Sequence, residues 1–210
     1  MDISFQLLQK QNPWWLREEL ILEDEKLKDL FLEHFQYIPN ILHQFPNDVD
    51  AILTLRGPRQ IGKSTSLKLL IKQLLIEDKV PKKSILYFSL DRIENFNQLY
   101  DLIECYLKNI RPVYSERLYI FLDEISFVKE WQRGIKALAD EGVLKNVTLL
   151  LTGSNLLDIG KGAERLPGRR GRQDQIDFEQ LPLTFREFFE LIEPNIDIST
   201  DDSISFHQDL

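Results

Sequence analysis

The chain has 210 residues, of which 34 are acidic and 26 are lysine or arginine, so its formal net charge is −8. This acidity disfavours broad charge-driven binding to nucleic acid, and no apolar run approaches the length that crosses a membrane. One cysteine excludes an internal disulfide, and the three histidines lack the spacing of a metal site. We therefore expect a cytoplasmic globular protein with no membrane partner.

The first element is a helical pattern of apolar residues over positions 14–45, which overlaps the sequence NPWW at 12–15. NPWW is typical of a helix start, and we expect its tryptophans to pack on the main body of the protein. A partner surface or a base-stacking surface is the alternative. Residues 1–48 are therefore predicted to form an N-terminal helical extension.

Short apolar segments then alternate with amphipathic helical patterns. The first four segments are almost continuously apolar, which is typical of strands that are covered on both faces. The alternation of strand and helix predicts an α/β fold with a parallel sheet and right-handed crossovers. The fifth segment is less apolar and is expected at an edge. The segments are residues 51–56, 84–90, 118–123, 147–152 and 175–181. They form a predicted core over 49–195, followed by a polar tail over 196–210.

The sequence GPRQIGKST at 57–65 contains the pattern G-x-x-x-x-G-K-[ST], between the first strand and an apolar-striped helix. Such a loop points backbone N–H groups at phosphate oxygens, and the helix N-terminus adds donors and a favourable dipole. Lys63 is expected to reach the β- and γ-phosphates, and Ser64 to bind Mg²⁺. A chance match with a solvated lysine is the alternative, which this context disfavours. The predicted phosphate-binding residues are Gly57, Pro58, Arg59, Gln60, Ile61, Gly62, Lys63, Ser64 and Thr65.

An acidic pair, Asp123 and Glu124, ends the third strand. Asp123 fits the acid that holds Mg²⁺, and Glu124 fits the group that orients or activates the attacking water. Neighbouring residues on a regular strand face opposite ways, so both serve one site only if the strand ends here. Surface charge is the alternative, and the nearby phosphate loop favours the paired role.

Two further observations concern the strands around this pair. A complete strand and helix separate the phosphate loop from the acidic pair, which is typical of hydrolytic ATPases in which the acid-bearing strand is not next to the first strand. The fourth strand ends in TGSN at 152–155. Thr152, Ser154 or Asn155 is predicted to sense the γ-phosphate or to hold the water, and capping of the next segment is the alternative.

Five segments in this order resemble the AAA-type ATPases of archaea and bacteria, whose members often continue into a C-terminal domain of uncharacterised function. They are GPRQIGKST, YIFLDEI, LLLTGSN, LPGRRGR and LPLTFREFFEL, and the resemblance covers about residues 12–193. It implies a P-loop NTPase fold whose five-stranded sheet has the order 5-1-4-3-2, with ATP and Mg²⁺ as ligands. Lys63, Ser64, Asp123 and Glu124 take the ATPase roles described above. Because the chain ends soon after TFREFFEL, we expect it to lack the helical lid and the C-terminal domain.

The stretch ERLPGRRGRQ at 164–173 concentrates four arginines between the fourth and fifth strands. AAA proteins carry at this place an arginine that contacts the γ-phosphate of the ATP bound to a neighbouring subunit. This arginine stabilises the transition state. In the arginine loop 165–172, Arg169 is the first candidate for this finger and Arg170 the second. The alternatives are a solvated loop that pairs with acidic surface and a nucleic-acid contact, which the net charge disfavours. The finger predicts a homo-oligomer or a partner chain that completes the site.

Together these patterns predict Mg²⁺-dependent ATP binding and hydrolysis. An ATP-dependent interaction switch with little turnover and a small-molecule kinase are the alternatives. A kinase must keep water away from the γ-phosphate, and Glu124 beside Asp123 does not suit that purpose. The chain has no guanine-reading N-K-x-D sequence, which favours ATP, although adenine specificity itself is implied only by the resemblance.

Overall fold

The structure is a computed structural model, which describes residues 3–46, 48–154, 166, 169–171 and 175–193. Three residues considered above, Asn155, Arg165 and Arg172, lie outside the described residues, as does the tail 196–210. The predictions made for them therefore stay predictions.

A five-stranded parallel sheet forms the centre, with the order β2-β3-β4-β1-β5. All residues of β3 and β4 are buried, as are the first five residues of β1. The sheet confirms the predicted α/β fold, the strand order implied by the resemblance and the edge position of the last strand. The strands are β1 (Ala51–Arg56), β2 (Ile85–Ser89), β3 (Leu118–Asp123), β4 (Val147–Gly153) and β5 (Asp177–Glu179).

The connecting helices bury the apolar stripes that the sequence predicts. In α4 the fully buried residues include Leu99, Leu102 and Tyr106, and in α5 they include Ile135 and Leu138. The helix α3 continues directly into a π-helical turn, and α4 packs against α5. The bounds are α3 (Lys63–Lys72), the π-helical turn (Gln73–Glu77), α4 (Phe96–Ile110), α5 (Trp131–Asp140) and α6 (Phe185–Ile192).

The N-terminal segment is less helical than expected. Its α-helices are α1 (Phe5–Gln11) and α2 (Glu25–Leu32), and the side chain of Asp24 caps the start of α2. The prediction of helix throughout 14–45 is wrong for residues 33–39, where the chain leaves helical geometry. Proline at position 39 disfavours helical geometry in the residue before it, and the apolar side chains at 35 and 38 are exposed rather than packed. Short 3-10 helices complete the segment at Pro13–Trp15, Glu18–Glu23 and Asn40–Gln44.

Side chains of the N-terminal segment bond to the free edge of β2, which is an outer strand. Asn12 accepts a hydrogen bond from the N–H of Tyr87 at 2.7 Å and donates to its carbonyl at 2.9 Å. Gln11 accepts from the N–H of Ser89 at 2.8 Å. These contacts satisfy backbone groups that would otherwise offer a template for pairing with another chain.

The two tryptophans of NPWW extend the same edge contact. The indole N–H of Trp15 donates to the carbonyl of Ile85 at 2.7 Å, and that of Trp14 lies 3.3 Å from the same oxygen. Both rings are buried, and Trp15 stacks on Phe5 and Tyr106. This confirms the expectation that the tryptophans pack on the main body.

Candidate functional site

The phosphate loop joins the end of β1 to the start of α3 in a tight backbone turn. Gly62 has a φ of 89° and directly precedes the first residue of α3, Lys63. A Cβ atom at Gly57 would lie 2.4 Å from the carbonyl oxygen of Gln180, so only glycine fits there. The strand–loop–helix context that the sequence predicts is therefore present, and the N-terminus of α3 opens toward the loop.

Lys63 lies inside the loop, with 5% of its surface exposed. Its ammonium group donates to the carbonyl oxygens of Gly57 at 2.9 Å and Pro58 at 2.7 Å. Burial lowers the pKa of Lys63, and the charges of Glu124 and Asp123 oppose that effect. The cation is thus held between the loop and the acidic pair.

The acidic pair lies where β3 ends. Asp123 is the last residue of the strand and is buried, whereas Glu124 has φ 59° and ψ 47°, in the left-handed region. A non-glycine residue in that region is strained by about 1–3 kcal/mol, and such strain is common at functional sites. The condition that the strand must end between the two acids is met.

The end of β4 contacts this pair through Thr152 and Ser154. The buried hydroxyl of Thr152 donates to Oδ1 of Asp123 and accepts from the N–H of Glu124 at 3.2 Å. Because its hydroxyl contacts both acids, Thr152 supports the acidic pair, and its predicted contact with the nucleotide stays a prediction. The hydroxyl of Ser154 lies 3.4 Å from Oε2 of Glu124, so Ser154 remains a candidate for holding the water.

Two residues that the sequence analysis did not select support Asp123 from the other side. The hydroxyl of Tyr87 donates to Oδ2 of Asp123 at 3.0 Å. Burial and the charge of Asp123 raise the pKa of Tyr87 far above its usual value, so the hydroxyl keeps its proton. The ammonium group of Lys68 lies 3.5 Å from the centroid of the Tyr87 ring. One sign of this arrangement is visible in the sequence, because Lys68 lies within the apolar stripe of α3.

Gln180, which follows β5, is a further residue that the sequence analysis missed. Its side chain donates to the carbonyl of Ile61 at 2.8 Å and accepts from the hydroxyl of Ser66 at 2.9 Å. Its backbone N–H donates to the carbonyl of Arg56 at 2.8 Å. Gln180 thus fastens the phosphate loop and α3 to the end of β5.

Two adjoining cavities lie beside the loop. The first, of about 360 Å³, brings together most of the predicted phosphate residues with Glu124 and with Lys26 of α2. The second, of about 340 Å³, shares four of these residues and extends between α2 and α3. Pro58 and Arg59 are exposed outside the first cavity. Its lining residues are Lys26, Gln60, Ile61, Gly62, Lys63, Ser64, Thr65 and Glu124.

A sequence profile of the AAA_14 family, described as an AAA domain, matches residues 49–189. The chain belongs to this AAA family. The phosphate loop and the acidic pair described above therefore lie within the part of the chain that this AAA domain covers.

Two curated relatives are similar to this AAA domain, and both are uncharacterized proteins. The relative from Haemophilus influenzae is 31% identical over 150 residues, which covers 67% of this chain and 34% of the relative. The relative from Methanocaldococcus jannaschii is 27% identical over 188 residues, which covers 79% of this chain and 37% of the relative. The chain thus spans about a third of the length of these relatives.

Solved structures with a similar fold are more distant. The ORC1 protein of Aeropyrum pernix, solved in complex with DNA, has a TM-score of 0.48 at 15% identity, covering 88% of this chain and 53% of that one. A Walker-type ATPase of Pyrococcus abyssi has a TM-score of 0.45 at 15% identity, covering 87% of this chain and 61% of that one. Similarity at this level carries no argument about function.

The two described arginines of the arginine loop lie away from the phosphate loop of the AAA domain. Arg170 is 8% exposed, and it donates to both carboxylate oxygens of Asp177 and to the carbonyls of Ile52 and Ile176. Ile52 lies near the start of β1, whereas the phosphate loop follows its end. An arginine finger must be exposed, so the interpretation of Arg170 as a finger is corrected: it ties β1 to β5.

Arg169 forms an ion pair with Asp140, the last residue of α5. The hydrogen bond from Arg169 lowers the pKa of Asp140, and the same bond raises the pKa of Arg169. This pairing corresponds to the alternative in which the loop binds acidic surface, and a role for Arg169 as a finger stays a prediction. In the part of the chain that the structure describes, no helix is both long and apolar enough to cross a membrane.

Proposed function

We propose that this AAA domain binds ATP with Mg²⁺ and hydrolyses it. The observation that carries the proposal is a single cavity of about 360 Å³ that contains Lys63 and Ser64 of the phosphate loop together with Glu124. Groups that bind phosphate and orient water must face the same space for hydrolysis, and a shared cavity supports those roles for Lys63, Ser64 and Glu124.

The two adjoining cavities fit the two halves of a nucleotide. The triphosphate would occupy the first cavity, where the loop N–H groups and the N-terminus of α3 face it. Lys26 and Lys63 are the cationic side chains that line this cavity. The base and ribose would occupy the second cavity, where Leu30, Tyr37 and Leu69 contribute apolar surface.

The residues present also fit Mg²⁺, which prefers oxygen ligands and keeps several waters. Ser64 supplies a hydroxyl in the first turn of α3, and Asp123 supplies a buried carboxylate at the end of β3. When bound, the cation would neutralise charge on the β- and γ-phosphates. Ser64 and Asp123 would hold it, and Thr152 would keep the carboxylate in place.

Glu124 is the proposed base. It would orient a water molecule in line with the γ-phosphorus and accept a proton as the new P–O bond forms. The bond between the γ-phosphorus and the β–γ bridging oxygen then breaks, which releases ADP and inorganic phosphate. Lys63 would stabilise the negative charge that develops on the transferred group.

An ATP-dependent interaction switch with little turnover is the second candidate. This candidate is favoured by the ion pairs that Arg169 and Arg170 form with acidic residues of the same chain. Neither of these two arginines lines the phosphate cavity. In either case a second copy of the chain or another chain would complete the site. The small-molecule kinase is less well supported, because Glu124 lines the cavity where water must be excluded.

The variant Glu124→Gln tests hydrolysis against the other candidates. We expect it to bind ATP as the unaltered chain does and to lose at least about a hundredfold in turnover, since an amide accepts no proton. Glu130→Gln is the matched control, because Glu130 is also in the left-handed region but pairs with Arg133 outside the cavity. Turnover by Glu124→Gln equal to that of the control contradicts the assignment. ATP binding without turnover in the unaltered chain favours the switch.

A further inference from the structure

A buried series of polar contacts connects Asp123 to the N-terminal segment. Tyr87 bonds to Asp123 at 3.0 Å, and the ammonium of Lys68 lies 3.5 Å from the centre of the Tyr87 ring. Lys68 in turn forms a 3.1 Å ion pair with Asp24, which caps α2. Its ammonium also lies 5.1 Å from the ring centroid of Trp14. The contacts join β3, β2, α3, the start of α2 and the 3-10 helix Pro13–Trp15.

The register of the sheet explains how Tyr87 reaches the acid. In the β2–β3 pair, Ser89 is the partner of Asp123, and Tyr87 is the partner of Phe121. Side chains two residues apart on a strand share a face, so Tyr87 and Asp123 are diagonal neighbours on one face of the sheet. A tyrosine is long enough to span that diagonal.

The two oxygens of Asp123 each accept one hydroxyl. Thr152 donates to Oδ1 and Tyr87 donates to Oδ2, from the strands on either side of β3. Together they fix the rotation of the carboxylate about its own bond. Each oxygen keeps further acceptor capacity, because a carboxylate accepts about four hydrogen bonds. With that remaining capacity, Asp123 would accept a hydrogen bond from a water bound to Mg²⁺.

Lys68 lies over the face of the Tyr87 ring and holds the ring in this position. Only 5% of its surface is exposed, and the ion pair with Asp24 compensates its charge. Because a buried charge without its partner is strongly unfavourable, the pair keeps Lys68 over the ring and fixes the start of α2 against α3. The N-terminal segment and the acid thus share one set of contacts.

We propose that Tyr87 and Lys68 are positioning residues that orient Asp123 for the divalent cation and link its orientation to the N-terminal segment. The inference rests on the proposed function, because it concerns the same Mg²⁺ site. Tyr87 acts directly on the carboxylate, and Lys68 acts through the ring of Tyr87. Neither residue lines the phosphate cavity, so neither is expected to contact the nucleotide.

The test is the Mg²⁺ dependence of nucleotide binding, measured with a fluorescent ATP analogue. We expect Tyr87→Phe to raise about tenfold the Mg²⁺ concentration at which the enhancement of analogue binding is half-maximal. Loss of a group that supports a metal ligand has effects of that size. Binding of the analogue in EDTA should be unchanged. Tyr106→Phe is the matched control, since that buried tyrosine bonds to the carbonyl of Lys83.

Lys68→Met and the double variant with Tyr87→Phe test the link between the two residues. If Lys68 acts through the ring of Tyr87, the double variant needs about the same Mg²⁺ concentration as Tyr87→Phe alone, so the two effects are not additive. Fully additive effects overturn the part assigned to Lys68. A Mg²⁺ requirement of Tyr87→Phe equal to that of Tyr106→Phe overturns the whole inference, as does an equal loss of binding in EDTA. If the unaltered chain binds no nucleotide, the proposed function itself fails.

Discussion

The two ends of the parallel sheet carry charged side chains in different ways. At the carboxyl ends of the strands, Lys63 and Glu124 line one cavity, and neither forms a salt bridge with a described residue. Toward the amino ends, the charges lie in the pairs Arg117–Asp50, Arg169–Asp140 and Arg170–Asp177. At the carboxyl ends, Arg56 of β1 and Glu179 of β5 also pair, at 3.8 Å, but neither lines the cavity. Charges held within the chain stabilise the fold, whereas charges facing a cavity are available to a ligand. The two described arginines of the arginine loop, Arg169 and Arg170, therefore belong with the amino ends.

The pair of Arg170 with Asp177 gives the largest expected effect on stability. We expect Arg170→Met to lower the free energy of unfolding by about 1–3 kcal/mol, because the carbonyls and the carboxylate that Arg170 contacts lose their donor. Turnover per folded molecule should not change, since the residue is remote from the phosphate cavity. Denaturant unfolding measures the first quantity, with Lys108→Met as an exposed ion-pair control. A loss of turnover without loss of stability contradicts the structural role.

The same pair predicts a dependence on pH. Desolvation raises the pKa of Asp177, but hydrogen bonds from Arg170 and Thr54 outweigh it, and the pKa is lowered overall. A carboxyl group with a lowered pKa contributes stability above its unfolded-state pKa and loses it as the pH falls through the folded-state pKa. Below about pH 4, the unaltered chain should therefore lose stability more steeply than Arg170→Met. If the free energy of unfolding falls equally steeply with pH in both chains, the lowered pKa of Asp177 is contradicted.

A smaller effect, on nucleotide binding, is expected from Lys26 at the carboxyl ends of the strands. It lines the phosphate cavity from α2, and we expect Lys26→Gln to weaken ATP binding about three- to tenfold and ADP binding less. Lys28→Gln is the matched control, because Lys28 lies on the same helix and pairs with Glu23. Isothermal titration with both nucleotides measures the difference. Equal behaviour of the two variants removes Lys26 from the phosphate site.

Arg169 gives the smallest expected effect. Because Asp140 already pairs with it, we expect Arg169→Ala to leave turnover per subunit unchanged at every protein concentration. The measurement is specific ATP turnover over a wide concentration range for both chains. A loss of turnover confined to high concentration would show that Arg169 acts on a neighbouring subunit, and would restore the arginine finger.

The central sheet and the phosphate loop were predictable because their signals are local. Continuous apolar runs identify the strands, and the loop pattern occupies eight consecutive residues, 57–64. The end of β3 at Asp123 was also predictable, because two acids serve one site only there. The N-terminal segment was not, because its apolar pattern suggests helix while side chains such as Asn12 are committed to a strand 75 residues away.

The supporting residues of the site were hidden for a related reason. Tyr87 lies 36 positions from the acid that it holds, and Gln180 lies 114 positions from Ser66. Each is an ordinary residue in its own local pattern. The internal role of Arg170 was hidden because sequence shows where positive charge is concentrated, whereas its contacts with Ile52 of β1 and Asp177 of β5 appear only in the folded sheet.

The edge contact between Asn12 and β2 has a consequence for synthesis on the ribosome. The residues that it joins are 75 positions apart, so Asn12 leaves the exit tunnel well before its partner strand exists. At about 5–20 residues per second the delay is roughly 4–15 seconds. Throughout this interval the tryptophans at 14 and 15 lack the strand that later covers them, and the nascent chain presents them to any chaperone at the tunnel exit. Because β2 is made before β3, β4 and β5, this contact can form while most of the sheet is still missing.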